Sequence, residues 1–195
     1  MENLEIVLKL LQGIGEGLEI LSYVTVQTQD GKDSIAAVGG WTQGCSSELA
    51  KALTGWPPYG AMTQALSFLL RKKPTDQIVG NGLAAVRLEE KVAAVSNAPA
   101  KLAELLCWIG VYAMEHIVFL RGVSKAKGDV VFVDLVTKDP LELLAFLGQK
   151  MEKEPLLPEE NQTNQVFPAG ILWTDVLTET NQTLPVATRV WGIQG

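Results

Sequence analysis

The sequence predicts an α+β domain, a mainly antiparallel sheet packed around a central buried helix at about residues 98–121. Three observations predict it. First, Leu105–Met114 (LLCWIGVYAM) is an unbroken apolar run inside a helix-like segment, and a helix apolar over most of its circumference must be enclosed by protein or lipid. The run is too short to cross a bilayer, and Glu115 and His116 end it. Second, two strand-like stretches flank Asp30-Gly31, and Gly accepts the positive φ of a tight hairpin turn. Third, helices and strands are interspersed without the steady βα alternation that a doubly wound fold needs.

In chain order, Asn3–Gln12 reads as a short helix ended by Gly13, Gly15 and Gly17. Leu18–Thr28 and Ser34–Val38 are the hairpin strands. Gly39–Gly44 leads to a helix over Ser46–Leu53, which Ser46 or Ser47 caps, and Gly55-Trp56-Pro57-Pro58 stops it. Ala61–Lys73 is the next helix, stopped by Pro74. Leu83–Val95 suits either an exposed helix or a hairpin, and its alanine content favours helix. Pro99 then starts the central helix. On that helix Lys101, Glu104, Trp108 and Glu115 form one stripe, and the small residues Ala103, Cys107 and Gly110 form another. The small stripe predicts close approach of another backbone. Val130–Val136 is a buried strand. Asp139-Pro140-Leu141-Glu142 opens a helix running to about Glu152, with Asp139 as cap. Ile171–Leu177 and Val186–Ile193 read as two strands with a polar turn near Asn181. The expected organisation is a single domain: a core at 1–154, a linker at 155–165, and a β-hairpin extension at 166–195 that completes the sheet or forms an oligomer interface.

The 195 residues are 47% hydrophobic and 19% charged, with a net charge of −6. That balance disfavours nucleic-acid binding, which relies on Lys and Arg neutralising phosphates. The N-terminal stretch carries Glu2 and Glu5 and no basic run, so a signal peptide is not expected and a cytoplasmic location is. Asn161-Gln162-Thr163 and Asn181-Gln182-Thr183 match the glycosylation pattern, but a cytoplasmic chain would leave them bare. Cys45 and Cys107 are too few for a disulfide framework and read as thiols.

Four constellations carry chemistry. Gly39, Gly40, Gly44 and Ser46 lie between a strand and a helix, with the glycine spacing of a phosphate loop, but Cys45 stands where that loop needs its lysine. Nucleotide hydrolysis is therefore not expected, although a helix N-terminus there could hold a small anion. Cys45 at that N-terminus would have a lowered pKa, and His116 is the sole histidine available as its base. Cys107 is the poorer nucleophile, because nine residues put it about 180° from His116 on an ideal helix. Asp134 interrupts a buried-looking strand, so it faces a pocket near the strand's C-terminal end, faces water on an edge strand, or hydrogen-bonds to a neighbour. Asp175 is a further carboxylate, with no distance to Asp134 readable from sequence. No metal site and no cofactor are expected, since no zinc or calcium ligand spacing occurs. Lastly, Trp41, Trp56, Tyr59, Trp173 and Trp191 lie near strand ends or turns, and Trp173 and Trp191 are the interface candidates.

Each catalytic pattern lacks a member. The expectation is a non-catalytic binding or assembly protein that forms a homo-oligomer or takes a protein partner, with no nucleic acid and no membrane. Two alternatives are a thiol-dependent enzyme using Cys45 and His116, and a small anion- or ligand-binding domain using the Gly39–Ser46 connection.

Overall fold

The computed structural model describes residues 2–18, 23–29, 33–38, 77–80, 83–88, 91–96, 98–125, 128–156, 168–177 and 181–193. The fold is α+β: three helices and two mostly antiparallel sheets among the described residues. Helix α1 spans Glu2–Gly17, α2 Ala100–Ala113 and α3 Pro140–Lys150. The first sheet holds β1 (Tyr23–Gln29), β2 (Asp33–Val38), β3 (Gln77–Gly80), β4 (Leu83–Leu88) and β5 (Lys91–Ser96) in the order β2-β1-β5-β4-β3, antiparallel throughout. The second holds β6 (Val118–Lys125), β7 (Val131–Thr137), β8 (Pro168–Leu177) and β9 (Thr183–Gly192) in the order β6-β7-β9-β8. Its one parallel pairing is β7 with β9.

Helix α2 is the centre. Every residue from Leu102 to Ala113 is buried. One side packs on β4 and β5, α1 and α3 flank it, and it also reaches β8. A helix covered from every side needs no polar face, which explains the uninterrupted apolar run. It is shorter than the sequence suggested. The chain turns after Ala113, where the Glu115 and His116 amides both donate to the Tyr112 carbonyl. Val118–Lys125 then forms β6 rather than continuing the helix to Arg121.

The Leu83–Val95 segment is a correction. It forms the β4–β5 hairpin, with Ala84 opposite Val95 and Val86 opposite Ala93. Ala84, Val86, Ala93 and Val95 join the core beneath α2, and Ala85 and Ala94 on the other face are also fully buried. A strand covered on both faces loses the alternation that marks a strand in sequence. Alanine suits this sheet because α2 lies close on it. The small stripe of α2 meets the sheet here: Cys107 Sγ donates to the Ala84 carbonyl at 3.5 Å. Beside Gly110 the nearest neighbours are the side chains of Leu11 and Ala93, not the backbone that was expected.

Helix α1 runs through Gly13 and Gly15 to Gly17 instead of stopping at Gln12. Two of those glycines serve packing. A Cβ on Gly13 would lie 2.9 Å from Leu120 Cδ2, and one on Gly17 would lie 2.6 Å from Val123 Cβ. Val123 is β-branched and stiff, so it cannot swing aside. Gly17→Ala is therefore expected to destabilise the fold by about 1–3 kcal/mol, although alanine favours helix by roughly 1 kcal/mol. Urea unfolding checks the sign, and a stabilised variant would mean that α1 does not rest on β6.

The remaining elements follow their local chemistry. Asp139 Oδ1 accepts from the Glu142 amide at 3.2 Å, and Pro140 opens α3. Asn181, at φ 59°, sits in the connection between β8 and β9. Leu156 pairs with Ile171 through two backbone hydrogen bonds. The sequence-predicted helices at 46–53 and 61–73 and the Asp30-Gly31 turn lie outside the described residues. No helix among the described residues is long and apolar enough to cross a membrane.

Candidate functional site

Two regions bring functional groups together. The first is a cleft of about 320 Å³ where the C-terminal end of α2, the start of β5 and α3 meet. Its apolar lining includes Leu88, Val111 and Phe146, and its polar lining includes Lys91, Glu142 and Gln149. His116 reaches this cleft because the chain turns straight after α2. Its ring stacks on Tyr112 at 4.2 Å and 17°, and Tyr112 in turn lies 5.3 Å from Phe146. Lys91 is buried, and its ammonium sits 2.7 Å from Glu115 Oε1. The Tyr112 hydroxyl is buried and has no hydrogen-bond partner among the described residues. Desolvation, followed by the nearby Glu142 and Asp139 carboxylates, pushes its pKa up to about 12. It is thus a neutral hydroxyl that can both donate and accept.

No Cys, Ser or Thr is among the described residues that line the cleft with His116. Cys45 lies outside the described residues, as do Gly39, Gly40, Gly44, Ser46, Trp41, Trp56 and Tyr59. Cys107 is fully buried, and burial pushes its thiol well above the ordinary range. Native Cys107 should resist iodoacetamide. The same burial gives a pH dependence. On unfolding, Cys107 and Tyr112 return to ordinary values near 9.0 and 10.0. Above those values the unfolded chain sheds protons that the folded chain keeps, so stability is whole below about pH 9 and falls as pH rises. The fall is up to about 1.4 kcal/mol per pH unit per group. Urea midpoints measured across the alkaline range check this, and Cys107→Ala should flatten the lower part of the curve.

The second region is the face of the β6–β9 sheet turned away from the helices. Strand alternation sends Val131, Val133 and Leu135 into the core and leaves Phe132, Asp134 and Val136 on the opposite face. In register with them, Asp134 faces Arg189 and Val136 faces Trp191. Arg189 grips Asp134 with two parallel bonds, Nε to Oδ1 at 2.6 Å and Nη2 to Oδ2 at 2.8 Å. The indole of Trp191 adds a third, to Oδ1 at 3.1 Å. The Arg189 guanidinium also lies 4.2 Å over the Phe132 ring, and Arg121 lies 3.9 Å over Trp191. Trp173 meets Phe132 edge-on at 6.3 Å. Asp134 is thus a hydrogen-bonded neighbour rather than a bare pocket carboxylate. Asp175 is exposed on β8 opposite Pro185. Phe119 on β6 is 50% exposed.

This face was only partly legible. Residue type marks the tryptophans but not Arg121 and Arg189, which lie over the Trp191 ring. The signal was present in Thr188-Arg189-Val190-Trp191, where alternation puts Arg189 and Trp191 on one face and Thr188 and Val190 on the other. No three His, Cys, Asp or Glu side chains converge as metal ligands among the described residues. No protein-family model, curated protein or solved structure matches the chain.

Proposed function

We propose that this protein is a non-catalytic assembly protein that self-associates through the open face of its β6–β9 sheet. The observation that carries the reading is the composition of that face. A sheet with helices on one side ordinarily turns polar side chains to water on the other. This one turns Phe119, Phe132, Val136, Ile171, Trp173 and Trp191 outward, with Arg121, Arg189, Asp134 and Asp175 between them. Aromatic rings and arginine are the side chains that contribute most to interface energies, and broad apolar patches on a soluble surface mark contact sites. A second copy fits the face because it carries both signs of charge, which lets one patch face its own image across a two-fold axis.

The guanidinium–carboxylate pair favours the same reading. It holds Arg189 and Trp191 in one geometry before any contact forms, so little side-chain entropy is lost on association. The test is sedimentation equilibrium of the full chain across the micromolar range. The wild type is expected to sediment as a dimer or larger closed oligomer. Phe119→Arg and Trp173→Arg, both at solvent-facing positions, should shift it to monomer while leaving the circular dichroism spectrum unchanged. A monomeric wild type overturns the reading.

A further inference from the structure

The cleft at the end of α2 shares no lining residue with the open sheet face, and self-association leaves it unused. We propose that this cleft binds a small organic cation: a primary ammonium carried on a compact apolar body. Four observations point to that chemistry.

The first is the charge balance of the lining. Among the described residues that line it the permanent cation is Lys91, which already faces Glu115 at 2.7 Å. Glu142 lines the same cleft from the first turn of α3, leaving a carboxylate in excess. The second is the pair of aromatic rings. Tyr112 and Phe146 lie 5.3 Å apart at 43° and both line the cleft. Ring faces attract cations through their quadrupole, and more strongly where water is excluded. The chain already uses this attraction next door, where the Lys150 ammonium lies 4.8 Å from the Trp108 ring and 5.9 Å from that of Phe146.

Third, the Tyr112 hydroxyl has no hydrogen-bond partner among the described residues although the residue is 5% exposed. A buried hydroxyl without a partner is costly and rare in native structures, and a bound ligand is one way to satisfy it. Burial first, and then the nearby Glu142 and Asp139 carboxylates, keep the Tyr112 hydroxyl protonated, and Glu142 and Glu115 line the cleft itself. A negative site recruits a donor cation rather than an anion. An ammonium N–H given to the Tyr112 oxygen and another to Glu142 would satisfy both, the second as a charge-assisted bond. Fourth, Leu88, Val111 and Phe146 offer apolar contact for the body of the molecule. At about 320 Å³ the cleft is of a size for a small molecule, near the lower end of known ligand pockets.

The chain has a single histidine, and it stacks on Tyr112 in this cleft. Its imidazole proton resonances therefore report on the site without assignment ambiguity. The experiment titrates the full-length chain with benzylammonium, and in parallel with benzyl alcohol and benzoate, which keep the body and change the charge. Saturable shifts of the His116 resonances are expected with benzylammonium, and binding at least about tenfold weaker with the other two. Glu142→Gln and Tyr112→Phe should each weaken benzylammonium by about tenfold. Neither should lower the urea midpoint, since Glu142 is exposed and Tyr112→Phe deletes an unpaired hydroxyl. The proposal is overturned if benzylammonium leaves the His116 signals unmoved at millimolar concentration. It is equally overturned if benzoate binds as well, or if both variants bind like the wild type.

Discussion

Replacing Trp108 with alanine is expected to cost about 3–4 kcal/mol of folding stability. Trp108 lies in the middle of α2 and is 2% exposed. It stands edge-on to Phe146 with ring centroids 6.1 Å apart, and the Lys150 ammonium rests over its face. Truncation opens a cavity at the junction of α2 and α3, and deep sites relax only in part. One feature lowers the figure. The indole Nε1 is buried without a hydrogen-bond partner among the described residues, so removing it also removes an unsatisfied donor. This separates ring from N–H. Trp108→Phe keeps an aromatic ring and loses the donor, and should cost no more than about 1.5 kcal/mol. Urea unfolding with unchanged m-values reads both changes. An alanine variant within about 0.5 kcal/mol of wild type would mean that the α2–α3 junction is not packed as described.

The second large effect concerns Asp134. Its replacement by alanine leaves the Arg189 guanidinium and the Trp191 N–H without their acceptor on a half-buried surface. Fully buried pairs lose about 3–5 kcal/mol when one partner is removed. The Arg189 side chain is 26% exposed and can recover some hydration, so about 2–3 kcal/mol is expected here. The double variant Asp134→Leu with Arg189→Met should recover most of the loss, because an apolar pair of similar volume needs no counter-charge. The double-mutant cycle isolates the coupling. Additive losses would show that the pair contributes nothing beyond its separate side chains.

Where the sequence was legible, one local rule governed. Asp139-Pro140 with Glu142 fixed the start of α3, because capping chemistry is set by the few residues that make it. The β1–β2 pairing was readable from the Asp30-Gly31 dipeptide between two β-rich runs. The apolar run of α2 gave the buried helix itself. Where the reading failed, tertiary packing overrode the local pattern. The alanines of β4 and β5 suggested helix, but they are small because α2 presses on one face of a sheet that is buried on both. Gly13 and Gly17 suggested a stop, but they make room for Leu120 and Val123. The Val118–Arg121 stretch looked like more helix because helix and buried strand share the same apolar vocabulary.

The candidate site was legible only in pieces. Residue type makes His116 a candidate base for Cys45, which lies outside the described residues; the structure stacks it on Tyr112 in a cleft that Glu142 also lines, residues drawn from two helices with no local signal to link them. Residue type alone marks Trp173 and Trp191 in the sequence. What joins them is the register of β9 between β7 and β8, a long-range pairing that no local pattern encodes.

The claim that the β6–β9 face is the association surface is tested most directly by hydroxyl-radical footprinting of the full chain at rising concentration. Oxidation of Phe119, Trp173 and Trp191 should fall together as the protein passes from monomer to oligomer, while the exposed Leu141 on α3 stays equally reactive. Constant oxidation of the three aromatic side chains through that transition would contradict the account and put the contact elsewhere on the molecule.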